Sequence, residues 1–362
     1  MNARIDRYMP RIRKILVFLG TAWVVTAPAA PVAVGDTAAD LPVSQAATVT
    51  FMFENDLFGD TDQQYTNGIQ IGWLTPDLTY FEQAGRLPKW SLPLVKALPW
   101  VNRGGAQRNL GLAFGQKMFT PEDIDSRSLV TDDRPYAGWL YGGVSFVSRS
   151  ADRLDAIELQ LGVVGPASLA EKTQNLIHDI RDIPRARGWD NQLKNEPGLA
   201  LIYQRKERWI SRMLSEHVGY DLMGHAGGAL GNVFTYLNGG VEVRAGWNMP
   251  ADFGTTLINP GGDTNAPVAG NDPRLNSGTP IGVHLFTAIT GRWVVRDIFL
   301  DGNTFTDSHS VDKEPLVADL IIGASMVMRP YKLSYAQVFR TQEFDGQRLN
   351  PNFGSISLSV TF

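Results

Sequence analysis

The stretch that decides the fold is Gly354-Ser355-Ile356-Ser357-Leu358-Ser359-Val360-Thr361-Phe362. Ile356, Leu358, Val360 and Phe362 recur with period two, the mark of a strand whose two faces differ chemically. The same alternation recurs upstream. In Asn67 to Leu74, Ile69, Ile71 and Trp73 oppose Gly68, Gln70 and Gly72. In Leu154 to Val163, Ile157, Leu159, Leu161 and Val163 oppose Ala156, Glu158, Gln160 and Gly162. A soluble sandwich would bury the apolar face against a second sheet, whereas a membrane barrel turns it to lipid and keeps a polar lumen.

The final strand favours the barrel. An apolar terminal strand ending in an aromatic residue is similar to the assembly signal of bacterial outer-membrane proteins, and closure against the first strand removes both sheet edges. Twelve strands are expected, near 47–54, 66–74, 108–116, 137–148, 153–163, 197–205, 208–224, 232–247, 281–297, 316–328, 332–342 and 354–362. An even count suits an all-β, closed antiparallel transmembrane barrel. With the N-terminus in the periplasm, short links near Arg149 to Asp152, Lys206 to Glu207 and Arg329 to Tyr331 fall on the inner side. Two inner links, 75–107 and 248–280, are long. The first holds an amphipathic element around Leu92 to Val101, and either can plug the barrel or bind a partner.

Bulk composition agrees. In 362 residues, 33 Lys plus Arg stand against 37 Asp plus Glu, which lacks the basic excess of a nucleic-acid binder. Cysteine is absent, excluding disulfides, thiolate metal sites and cysteine nucleophiles. Near the start, Arg11, Arg13 and Lys14 precede the apolar run Ile15 to Val25 and then Ala27-Pro28-Ala29-Ala30. That order predicts a signal peptide over 1–29, cleaved near Ala29 or Ala30, then a linker over 30–46 and the barrel over 47–362.

Three polar clusters fall on the outer side. The third outer loop carries the one expected helix, from Leu169 to about Arg181, opened by a Ser168/Glu171 capping box. Leu169, Thr173, Leu176, Ile177 and Ile180 are expected to pack down, leaving Glu171, Gln174 and His178 on the opposite side. His178 there reads either as a general base or as part of a solvated face. Glu54-Asn55-Asp56 with Asp60, Asp62 and Tyr65-Thr66-Asn67-Gly68 is oxygen-rich enough for a hard cation, yet these are also ordinary turn formers, and the spacing is not that of an EF-hand. In Asp132-Asp133-Arg134-Pro135-Tyr136-Ala137-Gly138-Trp139, Arg134 reads as a phosphate contact or a structural salt bridge, and Tyr136 with Trp139 as interfacial aromatics.

These motifs occur together with Gly115-Gln116, Thr120-Pro121, Gly165-Pro166, Gly188-Trp189-Asp190-Asn191-Gln192, Asn195-Glu196-Pro197 and Glu343-Phe344 with Gly346-Gln347. From about residue 50 to the C-terminus the set resembles the outer-membrane lipid A deacylases of the LpxR type. The resemblance implies a twelve-stranded barrel that removes the 3'-linked acyloxyacyl group of lipid A with calcium, facing the outer leaflet. Residue by residue, it implies His178 as catalytic base with Gln174 beside it. Asn55 and Thr66 match further catalytic positions, and Asp56 a calcium ligand. Glu196 is placed as the second acidic ligand, from its Asn-Glu-Pro context. Arg134 and Lys117 are assigned to lipid A phosphates on charge and loop position, with Tyr136 alongside at the substrate. A monomer is expected.

Two rival readings stand beside it. One is a non-enzymatic barrel, a pore or structural protein. The other is a serine phospholipase partnered by His217, His225, His284 or His309, none of which shows a recognisable spacing to a serine. Magnesium, another oxygen-seeking cation, stays open beside calcium.

Overall fold

A computed structural model describes residues 45–56, 64–78, 93, 97–98, 104–254, 257–258, 264–276, 278 and 281–362. The expected signal peptide and nearly all of the linker lie outside these residues, as do Asp60, Asp62 and most of the Leu92–Val101 element. No helix among the described residues is long and apolar enough to cross a membrane.

Twelve antiparallel strands close into one barrel. They are β1 (Thr48–Asn55), β2 (Gln64–Leu74), β3 (Gln107–Thr120), β4 (Ala137–Arg149), β5 (Arg153–Val164), β6 (Glu196–Met213), β7 (Val218–Gly231), β8 (Phe234–Trp247), β9 (Gly282–Asp297), β10 (Leu316–Met328), β11 (Tyr331–Arg340) and β12 (Asn352–Thr361). Each pairs with its sequence neighbour, and β12 pairs with β1 from Thr48 opposite Thr361 to Asn55 opposite Gly354. Two helices, α1 (Ala170–Arg181) and α2 (Ile298–Asp301), lie in links at one rim.

Alternation sorts the faces as expected. Leu112, Phe114, Leu159, Leu161, Leu285, Ile289 and Ile322 stand exposed on the outer wall. Trp73, Trp209, Tyr220, Trp247 and Tyr331 gather towards the rim opposite α1, and Trp293 and Phe339 towards the α1 rim, where interfacial aromatics flank an apolar band.

The lumen is filled. Towards the α1 rim, Trp139, Tyr141, Phe119, Phe286, Phe353 and Phe299 of α2 form one apolar cluster. Towards the other rim the 248–281 link folds inward, burying Phe253, Ala266 and Val268 against Leu74, Val147 and Leu154. Asp252 anchors it, accepting from Arg244 at 2.6 Å, Lys332 at 2.7 Å and Arg274 at 3.0 Å. Of the two roles open for this link, the structure gives it the plug.

Two boundaries differ from expectation. The turn expected at Lys206 to Glu207 lies at 214–217, and residues 225–231, left between the expected strands 208–224 and 232–247, belong to β7. Lys206 faces the lumen, where its Nζ donates to the Phe253 carbonyl at 3.0 Å and lies 3.7 Å from Glu242. A barrel with a polar interior tolerates mid-strand charges that a soluble sheet would expel into a turn.

Candidate active site

Asn55 pairs with Asn67 across β1 and β2, Asn67 with Met118 on β3, and Met118 with Gly138 on β4. Directly paired residues share a sheet face. Further along β2 that face carries exposed Ile71 and Trp73, whereas Gln70 points into the lumen and accepts from the Tyr141 hydroxyl at 2.6 Å. The row therefore faces out of the barrel, yet Asn55 and Asn67 are 4% and 1% exposed. Met118 is sealed by Tyr136, Ala170, Ala186 and Trp189, so the β5–β6 connection lies over the outside of the wall.

Glycines allow that close approach. A Cβ on Gly138 would stand 2.1 Å from Ser168 Oγ and 2.3 Å from Ala170 Cβ. Gly165 turns the chain at φ 96°, where a side chain would also strike the backbone of Lys194. A 3₁₀ turn, Pro166–Ser168, then leads to Leu169, which caps α1 in the left-handed region at φ 61°. The capping box does not form, because Ser168 is held inside that turn beneath Gly138, and its carbonyl accepts from Gln116 Nε2 at 2.6 Å.

The faces of α1 are reversed from expectation. Ala170, Gln174 and His178, four residues apart, are its buried positions, while Leu169, Leu176 and Ile180 are 46%, 58% and 42% exposed. A helix on the outside of a membrane barrel sees apolar surroundings beyond it and a polar gap beneath it. The soluble-protein rule for burying its apolar stripe is inverted.

His178 is fixed by one contact. Its Nδ1 lies 2.5 Å from the Pro184 carbonyl oxygen. A carbonyl only accepts, so Nδ1 carries a proton, and in the neutral imidazole the lone pair then falls on Nε2. No described residue partners Nε2. Gln174 Oε1 accepts from Trp189 Nε1 at 2.7 Å, while Gln174 Nε2 and both amide atoms of Asn67 are buried without a partner. The arrangement thus offers a tautomer-locked base one helical turn from an unsatisfied amide, on the face of α1 that covers the outside of the wall.

The sequence matches the family model of the outer membrane protein LpxR over residues 17–362. This chain belongs to the LpxR family. It is therefore an outer-membrane protein. The structure of LpxR from Salmonella typhimurium superposes with a TM-score of 0.67 at 18% identity, covering 87% of this chain and all of that one, a likeness in fold. The beta domain of the Bordetella autotransporter BrkA is similar at a TM-score of 0.42 and 9% identity, over 87% of this chain and 99% of that chain. No curated protein matches the sequence.

The other expected site residues of this LpxR-family barrel divide between two faces. Asp56 follows β1 directly and is buried at the rim, and Thr66 falls in β2 with its side chain outside the described residues. Tyr136 packs against Trp189 with ring centroids 5.0 Å apart and the planes tilted by 55°, and supports the seat of α1. Lys117, Arg134 and Glu196 are not brought to the buried face of α1. Lys117 points inward, its Nζ donating to the Ile258 carbonyl at 2.6 Å. Arg134 is buried over Phe119 and Phe344 and donates to Glu343 at 2.7 Å, which is the salt-bridge alternative. Glu196 pairs with lumen-facing Val164, and its carboxylate accepts from Asn303 and Thr304 at 2.9 and 2.8 Å and from Asn232 at 3.1 Å. Charge and motif position carry no face information, so sequence reasoning placed these three beside His178.

The other histidines do not partner a serine. His217 faces Asn248 Oδ1, His225 faces Thr290, and His309 faces the Asp133 carbonyl. His284 is buried with neither ring nitrogen partnered. Sequence reasoning assigned no role to Asn67, Gln116 or Trp189. Parity holds the missed signal for the first two, since each is polar on a strand face otherwise given to Ile, Leu, Phe and Trp.

Proposed function

We propose that this chain is an outer-membrane ester hydrolase that removes the 3'-linked acyloxyacyl group of lipid A, with the α1 rim facing the outer leaflet. The observation that carries the reading is the buried His178, locked in the tautomer of a general base on the wall-facing side of α1. Membership of the LpxR family supports the substrate class. A base carried on the outside of the wall suits a substrate that never leaves the bilayer, and exposed Leu169, Leu176 and Ile180 on and beside α1 suit acyl chains around it.

In this reading His178 Nε2 takes a proton from water as the water attacks the ester carbonyl, and later returns it to the departing sugar oxygen. Pro184 keeps the ring oriented through Nδ1. Gln174, held by Trp189, sits one helical turn away on the same buried face and keeps a donor free for substrate or water. No serine nucleophile is required.

Among the described residues no three His, Cys, Asp or Glu side chains group as a metal site. The Asp56 carboxylate and the Asn55 amide oxygen at the end of β1 nonetheless form a hard-oxygen donor pair of the kind calcium takes. Those two residues would hold the ion. Bound there, calcium would supply positive charge to stabilise the oxyanion. Glu196 is no part of this set, its carboxylate being taken up on the lumen face.

Treatment of lipid A with the purified protein in detergent, then chromatography of released acids, tests the reading. Release of the intact acyloxyacyl acid, lost with chelator and restored by calcium, is expected. Release of glycerophospholipid acyl chains with lipid A untouched would contradict it.

A further inference from the structure

We propose that Asn67 is a catalytic residue of this site, donating its amide N–H to the carbonyl oxygen of the ester under attack. The inference rests on the deacylase reading and extends it to a residue with no role so far.

Asn67 is 1% exposed, and neither Oδ1 nor Nδ2 has a hydrogen-bond partner. Native proteins pair nearly all such groups, so a doubly unsatisfied buried amide marks a place kept for something that arrives later. Asn55, its cross-strand neighbour in the row, has a partner in the structure, and in Asp56 beyond it only Oδ1 is unsatisfied, whereas Asn67 lacks partners at both amide atoms. Position adds a second, independent argument. Asn67 sits directly between Asn55 and Met118, and Met118 carries Ala170, the first buried residue on the α1 face that also presents Gln174 and His178. The side chain belongs to an outward column continued by exposed Ile71 and Trp73, where an amide serves no packing purpose.

The missing partner of Nδ2 must be an acceptor. On the outward face of the wall, the acceptor that a deacylase must bring is the ester carbonyl. The water oxygen bonds to the carbonyl carbon as its proton passes to His178 Nε2, and the C=O π pair moves onto the oxygen that Asn67 holds. On collapse that pair re-forms the carbonyl, the sugar oxygen leaves with its bonding electrons, and the proton passes to it from His178. A donor already in place strengthens its bond as charge develops on the oxygen, which is the condition for catalysis rather than mere binding.

The test compares wild type, Asn67→Ala and Asn67→Asp as full-length protein refolded in detergent, on lipid A with saturating calcium. Both variants should lose about 10²–10³-fold in kcat, the usual cost of one oxyanion donor, with a smaller change in KM. Thermal unfolding temperatures should not fall in Asn67→Ala, because the amide removed has no protein partner. Wild-type kcat in either variant would overturn the proposal. So would rescue by Asn67→Asp together with weakened calcium affinity in Asn67→Ala, which would make the residue a metal ligand through its oxygen. Lower melting temperatures in step with lost activity would make it structural. A wild type inactive on lipid A would overturn the deacylase reading itself, and this inference with it.

Discussion

Trp189 Nε1 donates to Gln174 Oε1 at 2.7 Å, tying the β5–β6 loop to the one helical face that looks at the barrel wall. Trp189 also packs at a tilt against Tyr136, which packs with Met118 of the wall. The indole is thus the joint between wall, loop and helix. Trp189→Phe keeps the ring and deletes the donor. One hydrogen bond is worth about 0.5–1.5 kcal/mol net, so the barrel should stay folded with little loss of stability. Activity should fall by roughly tenfold, the equivalent of about 1.4 kcal/mol. Steady-state kinetics beside a thermal melt checks the pair of outcomes.

Gly138 sets the distance between α1 and the wall. Any side chain there meets Ser168 and Ala170, so Gly138→Val should lift the helix and take Gln174 and His178 away from the wall. The expected result is a barrel that still shows heat-modifiable migration on a gel but has lost hydrolysis. Full activity in Gly138→Val would show that the helix need not sit against β4.

Arg134 and Glu343 form a buried pair, with Arg340 donating to the second carboxylate oxygen at 3.1 Å. Removing Arg134 leaves the buried Glu343 with Arg340 alone, so the loss should fall below the roughly 3–5 kcal/mol of a fully stranded partner. Arg134→Ala should therefore lower stability, and KM should not depend on whether the lipid A carries its phosphates. Burial pushes the Glu343 carboxyl up, but Arg134, Arg340 and Arg292 hold it below the usual glutamate range. A carboxyl depressed in the folded state stabilises at every pH above its unfolded value, about 4.3, and that contribution fades as pH falls through the folded value. Melts of wild type should hold steady down to about that pH and decline below it. The decline should be shallower in Glu343→Gln.

The lumen is filled by aromatic residues at one end and by the Asp252-anchored link at the other. Protein reconstituted in planar bilayers should show no steady ion conductance. Stable open channels at low voltage would reinstate the pore reading. Asp252→Asn removes the ionic partner of Lys332 and should destabilise the barrel without opening it, since Phe253 and Val268 still pack inward.

The barrel was legible because its signal is periodic and repeated. Ile356, Leu358 and Val360 declare one face, and the same pattern upstream declares the rest. What failed was anything needing knowledge of which side a polar residue occupies. Lys206 and Glu207 read as a turn because a filled polar lumen was not part of the local pattern. Gln174 and His178 read as the solvated side of α1 because the apolar stripe was assumed to face protein. Lys117, Arg134 and Glu196 share motifs with His178 yet point to the lumen or the barrel mouth. Counting parity from Ile69, Ile71 and Trp73 would have placed Asn67 on the outward face from sequence alone.

The central claim is that His178 activates water against an ester of lipid A. Mass spectrometry of lipid A after incubation with the refolded protein, wild type beside His178→Ala and each with calcium or chelator, tests it most directly. Loss of one acyloxyacyl mass for the wild type with calcium alone is the predicted result. Unchanged lipid A in every tube from properly folded protein, or the same loss from His178→Ala, would contradict it.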